Sequence, residues 1–177
     1  MRSKALLILL GGLAIGVGIG IAVLFGFDYS ADSDNPNPAI GSEAPDINLQ
    51  TLLGDEVRLS QFRGSPVLIN FWATWCQPCQ IEMPYIQNRF DQYRPDIVVL
   101  AVNFDEPVSS VQQFVKEQNF TFDVLLDTGG RIQELYQIRG YPTTYFVDAE
   151  GIIRVIHIGF MTESQLDEYL TKVGVGG

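Results

Sequence analysis

The chain has 177 residues, of which 46% are apolar and 18% charged, and it carries a net charge of −10. That length fits one domain with additional segments, and the charge excludes the basic footprint of a nucleic-acid-binding protein. An acidic surface of this kind favours solubility and is compatible with a basic partner.

Residues 5–27, "ALLILLGGLAIGVGIGIAVLFGF", contain no charge. A helix needs about 20 such residues to cross the hydrocarbon core of a bilayer. Arg2 and Lys4 precede the run, and Asp28, Asp32 and Asp34 follow it. Cationic flanks stay on the cytoplasmic side. Residues 1–4 are therefore expected in the cytoplasm, residues 5–27 as a signal-anchor helix, and the remainder on the extracytoplasmic face of the cell membrane. A cleaved signal peptide would have a shorter apolar region ending at a small-x-small site, and no clean site follows. No cysteine follows the run that could carry a lipid. Gly12, Gly16 and Gly20 share a helical face. Glycine is common in membrane helices, so no pairing is read from that spacing. Without Arg2 and Lys4, nine of the 11 basic residues remain against all 21 acidic ones, a charge of −12.

Residues 28–40, rich in Asp, Ser, Asn and Pro, read as a linker. Residues 41–177 then suffice for a compact core. "DINLQTLLGDEVRLSQF" predicts two short strands around a Gly54-Asp55 turn. "PVLINFW" is a continuous apolar run, as for a strand buried on both faces. "QPCQIEMPYIQNRFDQYR" has helical spacing, with Pro84 expected to bend it. "DIVVLAVNF" is a second buried strand. "PVSSVQQFVKEQNF" is a helix with Val111, Phe114 and Val115 on one side. "FDVLLD" is a strand and "GGRIQELYQI" a short helix. "TTYFVDAEGIIRVIHIG" is a hairpin turning at Ala149-Glu150-Gly151, and "MTESQLDEYLTKV" is a last helix with a Thr162/Gln165 capping box. Alternating strands and helices predict an α/β domain with a largely parallel central sheet and an antiparallel hairpin at one edge.

The two cysteines, Cys76 and Cys79, are the chain's only thiols and lie in "FWATWCQPCQIEMP". Cys76 follows a buried strand and stands where a helix begins. Unpaired N–H groups and the helix dipole stabilise a thiolate there, and Cys-X-X-Cys thiols have pKa values lowered from about 8.5 to ~3.5–7.5. Cys76 is read as the nucleophile and Cys79, one turn further in, as the resolving thiol. A structural bridge across so short a loop would restrict the unfolded chain little. A closed zinc site needs four ligands, and the chain offers two Cys and the single His157. His157, in an alternating strand, reads as a structural or surface residue. Two thiols and one His could hold Cu(I), so a copper-handling protein stays open as an alternative to redox chemistry.

"NFWATWCQPCQIEMP" resembles the active-site signature of the thioredoxin superfamily, and specifically its membrane-anchored TlpA/ResA/DsbE (CcmG) branch. "GSEAPDINLQTLLGDEVRLSQFRGSPVLINFW" is similar to that branch's opening segment. "VVLAVNFDEPVSSVQQFVKEQNFTFDVLLD" resembles its inserted helix and strand, "GYPTTYFVDAEG" its cis-proline loop, and "GFMTESQLDEYL" the C-terminal helix of the ResA type. The likeness covers residues 40–173. It implies a thioredoxin-like fold, a central mixed sheet flanked by helices, with an added N-terminal β-hairpin and a central helix–strand insertion. It also implies that Cys76 and Cys79 form the redox couple, that Trp75 packs beside the thiol, and that Pro142 is cis. Tyr141 would face the disulfide and help to hold substrate.

Thioredoxins carry a buried Asp where this chain has Asn70, which cannot titrate. The resemblance places a functional carboxylate instead at Glu82, three residues after Cys79, as the group that exchanges a proton with it. The implied activity is that of a protein disulfide reductase acting on the CxxCH disulfide of apocytochrome c during cytochrome c maturation. Re-reduction would come from a CcdA- or DsbD-like membrane protein, and neither a cofactor nor a metal is required. Other extracytoplasmic thiol–disulfide exchange, including copper-site reduction or disulfide formation, remains the alternative. Peroxiredoxin-like peroxidases need Thr or Ser three residues before the reactive Cys, and here Ala73 stands there.

Overall fold

The computed structural model describes residues 38–176. The expected cytoplasmic end, anchor helix and most of the linker lie outside the described residues. Among the described residues no helix is long and apolar enough to cross a membrane. In chain order the elements are β1 (Asn48–Thr51), β2 (Glu56–Arg58), a 3-10 turn (Leu59–Phe62), β3 (Val67–Trp72), α1 (Gln77–Tyr93), β4 (Val98–Phe104), α2 (Val108–Gln118), β5 (Asp123–Asp127), α3 (Arg131–Leu135), β6 (Thr143–Val147), β7 (Ile153–Ile158) and α4 (Glu163–Lys172).

The strands form one sheet in the order β2-β1-β5-β4-β3-β6-β7. Strand β3 sits inside it, and all six of its residues are buried, which is why "VLINFW" shows no polar alternation. Its side chains still alternate between faces. Leu68 and Trp72 join Met83 and Ile86 of α1, Val111 of α2, and Leu166 and Leu170 of α4. Val67, Ile69 and Phe71 join Ile47, Leu59, Ile132 and Tyr136 on the opposite face. Phe114 and Val115 pack against the first cluster beside Val111, as their spacing predicts. Helix α1 continues through Pro84 to Tyr93.

The sheet is mixed, as the family resemblance implies, and not largely parallel, as the alternation of elements predicts. Strands β3, β4 and β5 run parallel. Strand β1 is antiparallel to β2 and β5, and β6 to β3 and β7. The reason lies in the connections. Helices α1 and α2 are long enough to return the chain across the sheet, as a parallel pair requires. Helix α3 has five residues, a rise of about 7 Å, so the chain enters β6 from the end at which β5 leaves. Left-handed backbone at Gly130 (φ 71°) and Gln137 (φ 55°) brackets this helix and keeps it shorter than its composition suggests. The Cβ that any other residue would add at Gly130 would lie 2.7 Å from the Phe104 ring. The outcome brings the β3–α1 turn and the loop before β6 to the same end of the sheet.

Candidate active site

Cys76 is the N-cap of α1, and its Sγ accepts the Cys79 N–H at 3.2 Å. Pro78 occupies the first turn, where a missing N–H costs nothing. The two sulfurs are joined in a disulfide with a Cα–Cα distance of 5.3 Å. Cys76 retains 5% exposure and Cys79 none. Only Cys76 can therefore be reached by an incoming sulfur.

The turn that delivers Cys76 is held from both sides. The Glu106 carboxylate accepts the Thr74 N–H at 2.7 Å and the Thr74 hydroxyl, and also the Asn103 amide at 2.7 Å. From α1, the Gln80 amide donates to the Thr74 carbonyl at 2.7 Å. Glu106 thus ties the end of β4 to the loop between β3 and α1.

Trp75 is 64% exposed, and its ring lies edge-on to Tyr141 at 5.7 Å. Phe104 meets Tyr141 at 5.9 Å, so a row of three aromatic rings starts at Trp75, the residue before Cys76. The Tyr141–Pro142 bond is cis, as expected, and so is Arg94–Pro95, which the sequence did not signal. The Tyr141 hydroxyl donates to Gln133, and burial raises it above the usual tyrosine range. The Pro142 carbonyl accepts the Gly159 N–H at 2.8 Å, which links the cis-proline loop to the β7–α4 turn.

Glu82 is wholly buried. Its Oε1 accepts the Asn70 amide at 2.9 Å, and its Oε2 accepts the Met161 N–H at 2.9 Å. Asn70 also donates to Thr144 Oγ1 at 2.9 Å, while its own Oδ1 has no partner. Burial pushes the Glu82 carboxyl up to about 7, against the opposing pull of the Met161 N–H and the Asn70 amide. Asn70 and Thr144 can each donate or accept after a simple rotation. The cluster can therefore hold Glu82 in either protonation state. A titratable group close to neutrality, one helical turn beyond Cys79, suits transfer of a proton to or from a thiol.

The structure brings Cys76, Cys79, Trp75, Tyr141, Pro142 and Glu82 to one end of the sheet. Sequence reasoning did not pick out Glu106, Phe104, Thr144 or the Met161 amide. "NFDEP" reads as a helix approach, and nothing in its spacing signals that Glu106 reaches Thr74, 32 residues earlier. Among the described residues no group of three or more His, Cys, Asp or Glu could hold a metal ion.

The AhpC/TSA family signature matches residues 40–156. The chain is 38% identical over 136 residues to the thiol-disulfide oxidoreductase ResA of Geobacillus kaustophilus, covering 76% of this chain and 78% of that one. It is 41% identical over 133 residues to the thioredoxin-like protein YneN of Bacillus subtilis, covering 73% and 78%. Among solved structures, a Chlorobium tepidum chain assigned as a thiol:disulfide interchange protein DsbE superposes with a TM-score of 0.72 at 31% identity, over 77% of this chain and 99% of that one. With its CxxC disulfide at the head of α1 and a cis-proline just ahead of β6, the chain belongs to the AhpC/TSA family and, within it, to the thioredoxin-like thiol-disulfide oxidoreductases of the TlpA/ResA/DsbE kind.

Proposed function

We propose that this thiol-disulfide oxidoreductase is a reductant, and that its substrate is the CxxCH disulfide of apocytochrome c on the extracytoplasmic side of a membrane to which residues 5–27 anchor it. The observation that carries the reductive mechanism is the buried Glu82 cluster one turn beyond a disulfide of which only Cys76 is accessible. The resemblance to the ResA type supports the substrate, and the uncharged N-terminal run with its basic flank supports the location.

The Cys76 thiolate attacks one substrate sulfur. The substrate disulfide breaks, its other sulfur leaves as a thiolate and takes up a proton, and a mixed disulfide forms. Glu82, as carboxylate, accepts the Cys79 proton. The Cys79 thiolate then attacks the Cys76 sulfur, re-forms the Cys76–Cys79 disulfide and expels the second substrate thiolate, which is protonated in turn. Two electrons pass from the Cys76–Cys79 pair to the substrate. Two protons complete the substrate dithiol. A CcdA- or DsbD-like membrane dithiol returns the electrons. Trp75, which precedes Cys76 and meets the Tyr141 ring edge-on, is assigned with Tyr141 and the cis Pro142 to holding the substrate segment.

The decisive experiment is the reduction potential of the Cys76–Cys79 pair in the full chain, equilibrated in defined thiol buffers. A reductant gives a value near −270 mV or lower; a value near −120 mV marks a disulfide-forming oxidant and refutes the proposal. Cys79→Ser is expected to accumulate mixed disulfides with apocytochrome c that enters with its CxxCH disulfide intact, and Cys76→Ser to accumulate none. The opposite pattern reverses the two roles.

A further inference from the structure

Met161 and Phe160 share one peptide group, and both of its ends are engaged. Its N–H donates to Glu82 Oε2 at 2.9 Å. Its carbonyl, that of Phe160, lies 3.1 Å from Nε2 of His157. A carbonyl only accepts, so Nε2 carries the proton. The other ring nitrogen, Nδ1, lies 3.3 Å from the Tyr169 hydroxyl of α4, which can donate to it or accept from it. His157 can therefore keep the Phe160 bond whether its ring is neutral or charged.

The register places the ring deliberately. Asn70 of β3 pairs with Thr144 of β6, and Thr144 pairs with His157 of β7. Residues directly opposite in antiparallel strands share a face, so the three side chains form a row under α1 and α4. The row begins at the Asn70 amide on one Glu82 oxygen and ends at the histidine that grips the peptide on the other. The turn between is pinned at both ends, by Gly159 N–H on the Pro142 carbonyl and by the Thr162/Gln165 capping box that opens α4.

We propose that His157 is a positioning residue for Glu82, acting through the Phe160–Met161 peptide to aim its N–H at the buried carboxylate and to strengthen that donor. Hydrogen bonds in series polarise one another: a donor on the Phe160 carbonyl makes the Met161 N–H a better donor, which favours ionised Glu82. The effect is a local bias on the group that exchanges protons with Cys79. It rests on the proton role of Glu82 proposed above. The charged groups on the packed elements are otherwise engaged. Arg89 of α1 pairs with Asp167 and Glu163 of α4. Lys172 lies 5.1 Å from the Tyr169 ring and pairs with Glu168. None of these charges is among the causes of the Glu82 shift.

The chain has three methionines, so the full chain in detergent micelles, labelled with 15N-methionine, isolates the Met161 amide. Its proton shift followed from pH 5 to 9 reports the ionisation of Glu82. His157→Leu is expected to raise the midpoint by about 0.5, roughly a threefold gain in proton affinity, and to move the Met161 signal upfield at high pH. His157→Gln, which restores an N–H donor, is expected to return both toward the parent values. An unchanged midpoint in His157→Leu overturns the proposal, as does an equal shift in both variants, which would assign the effect to the ring's bulk. The reading of Glu82 itself is tested separately by the exchange rate of Glu82→Gln. If Glu82 has no proton role, that rate is normal while the Met161 midpoint still moves; if His157 has none, the rate defect stands and the midpoint stays.

Discussion

Replacing Glu82 by Gln should make the protein more stable at alkaline pH while impairing its chemistry. The Glu82 carboxyl stands at about 7 in the fold against 4.5 in the free side chain. A rise of that size corresponds to about 3 kcal/mol between the two protonation states. Because the folded value lies above the unfolded one, the contribution is fully present below pH 4.5 and disappears as pH climbs to about 7. Gln cannot ionise and carries no such slope. It can also keep the local bonds, because rotation of the Asn70 amide offers Oδ1 to the new N–H group and Thr144 can turn to donate. Urea denaturation of the oxidised parent and variant, at half-unit steps from pH 4.5 to 8.5, gives the difference directly. Other titrating groups cancel in that difference. It should swing by about 3 kcal/mol in favour of the variant as pH rises. A difference that stays constant with pH would refute the assignment of a raised, buried carboxyl.

Glu106→Ala removes the acceptor for the Thr74 N–H, the Thr74 hydroxyl and the Asn103 amide. The expected loss is about 2 kcal/mol, as for hydrogen bonds to a charged group, measured by urea denaturation, with a slower exchange rate as the turn before Cys76 loosens. An unchanged stability would remove Glu106 from the turn. Trp75→Ala should change stability by less than about 1 kcal/mol, the worth of its edge-on contact with Tyr141. It should raise the KM for a disulfide-bearing protein several-fold and leave the reduction of a small disulfide reagent near normal. Equal effects on both substrates would count against a substrate-holding role.

What could be read from the chain depended on whether the signal was local. The apolar run of β3 announces a strand covered on both faces, and the Thr162–Gln165 spacing announces the start of α4. Gly54 and Gly151, both at positive φ, sit at the expected turns. Strand direction was not legible, because side-chain periodicity is the same in parallel and antiparallel ladders. The direction of β6 follows from the brevity of α3, which two residues with left-handed backbone decide. Within the site, the residues named by the CxxC and cis-proline motifs were legible, since each motif is contiguous. The depth at which Glu82 is buried was not: its place three residues after Cys79 puts it on the thiols' side of the helix without saying what covers it. What buries it is a set of distant partners, Asn70, Thr144 and the Met161 amide, that only the completed sheet brings together. Glu106 escaped notice for the same reason.

The pairing of Cys76 with Cys79 has a combinatorial consequence. Two cysteines allow one intramolecular disulfide, so the chain has a single oxidised isomer and no wrong one to repair. A covalent error must involve a second molecule attached at Cys76. Cys79 stands three residues away, held against the same sulfur, at an effective concentration far above that of any solute. Each stray adduct at Cys76 therefore meets an internal competitor already in position, and the oxidation that ends a productive cycle also clears an unproductive one.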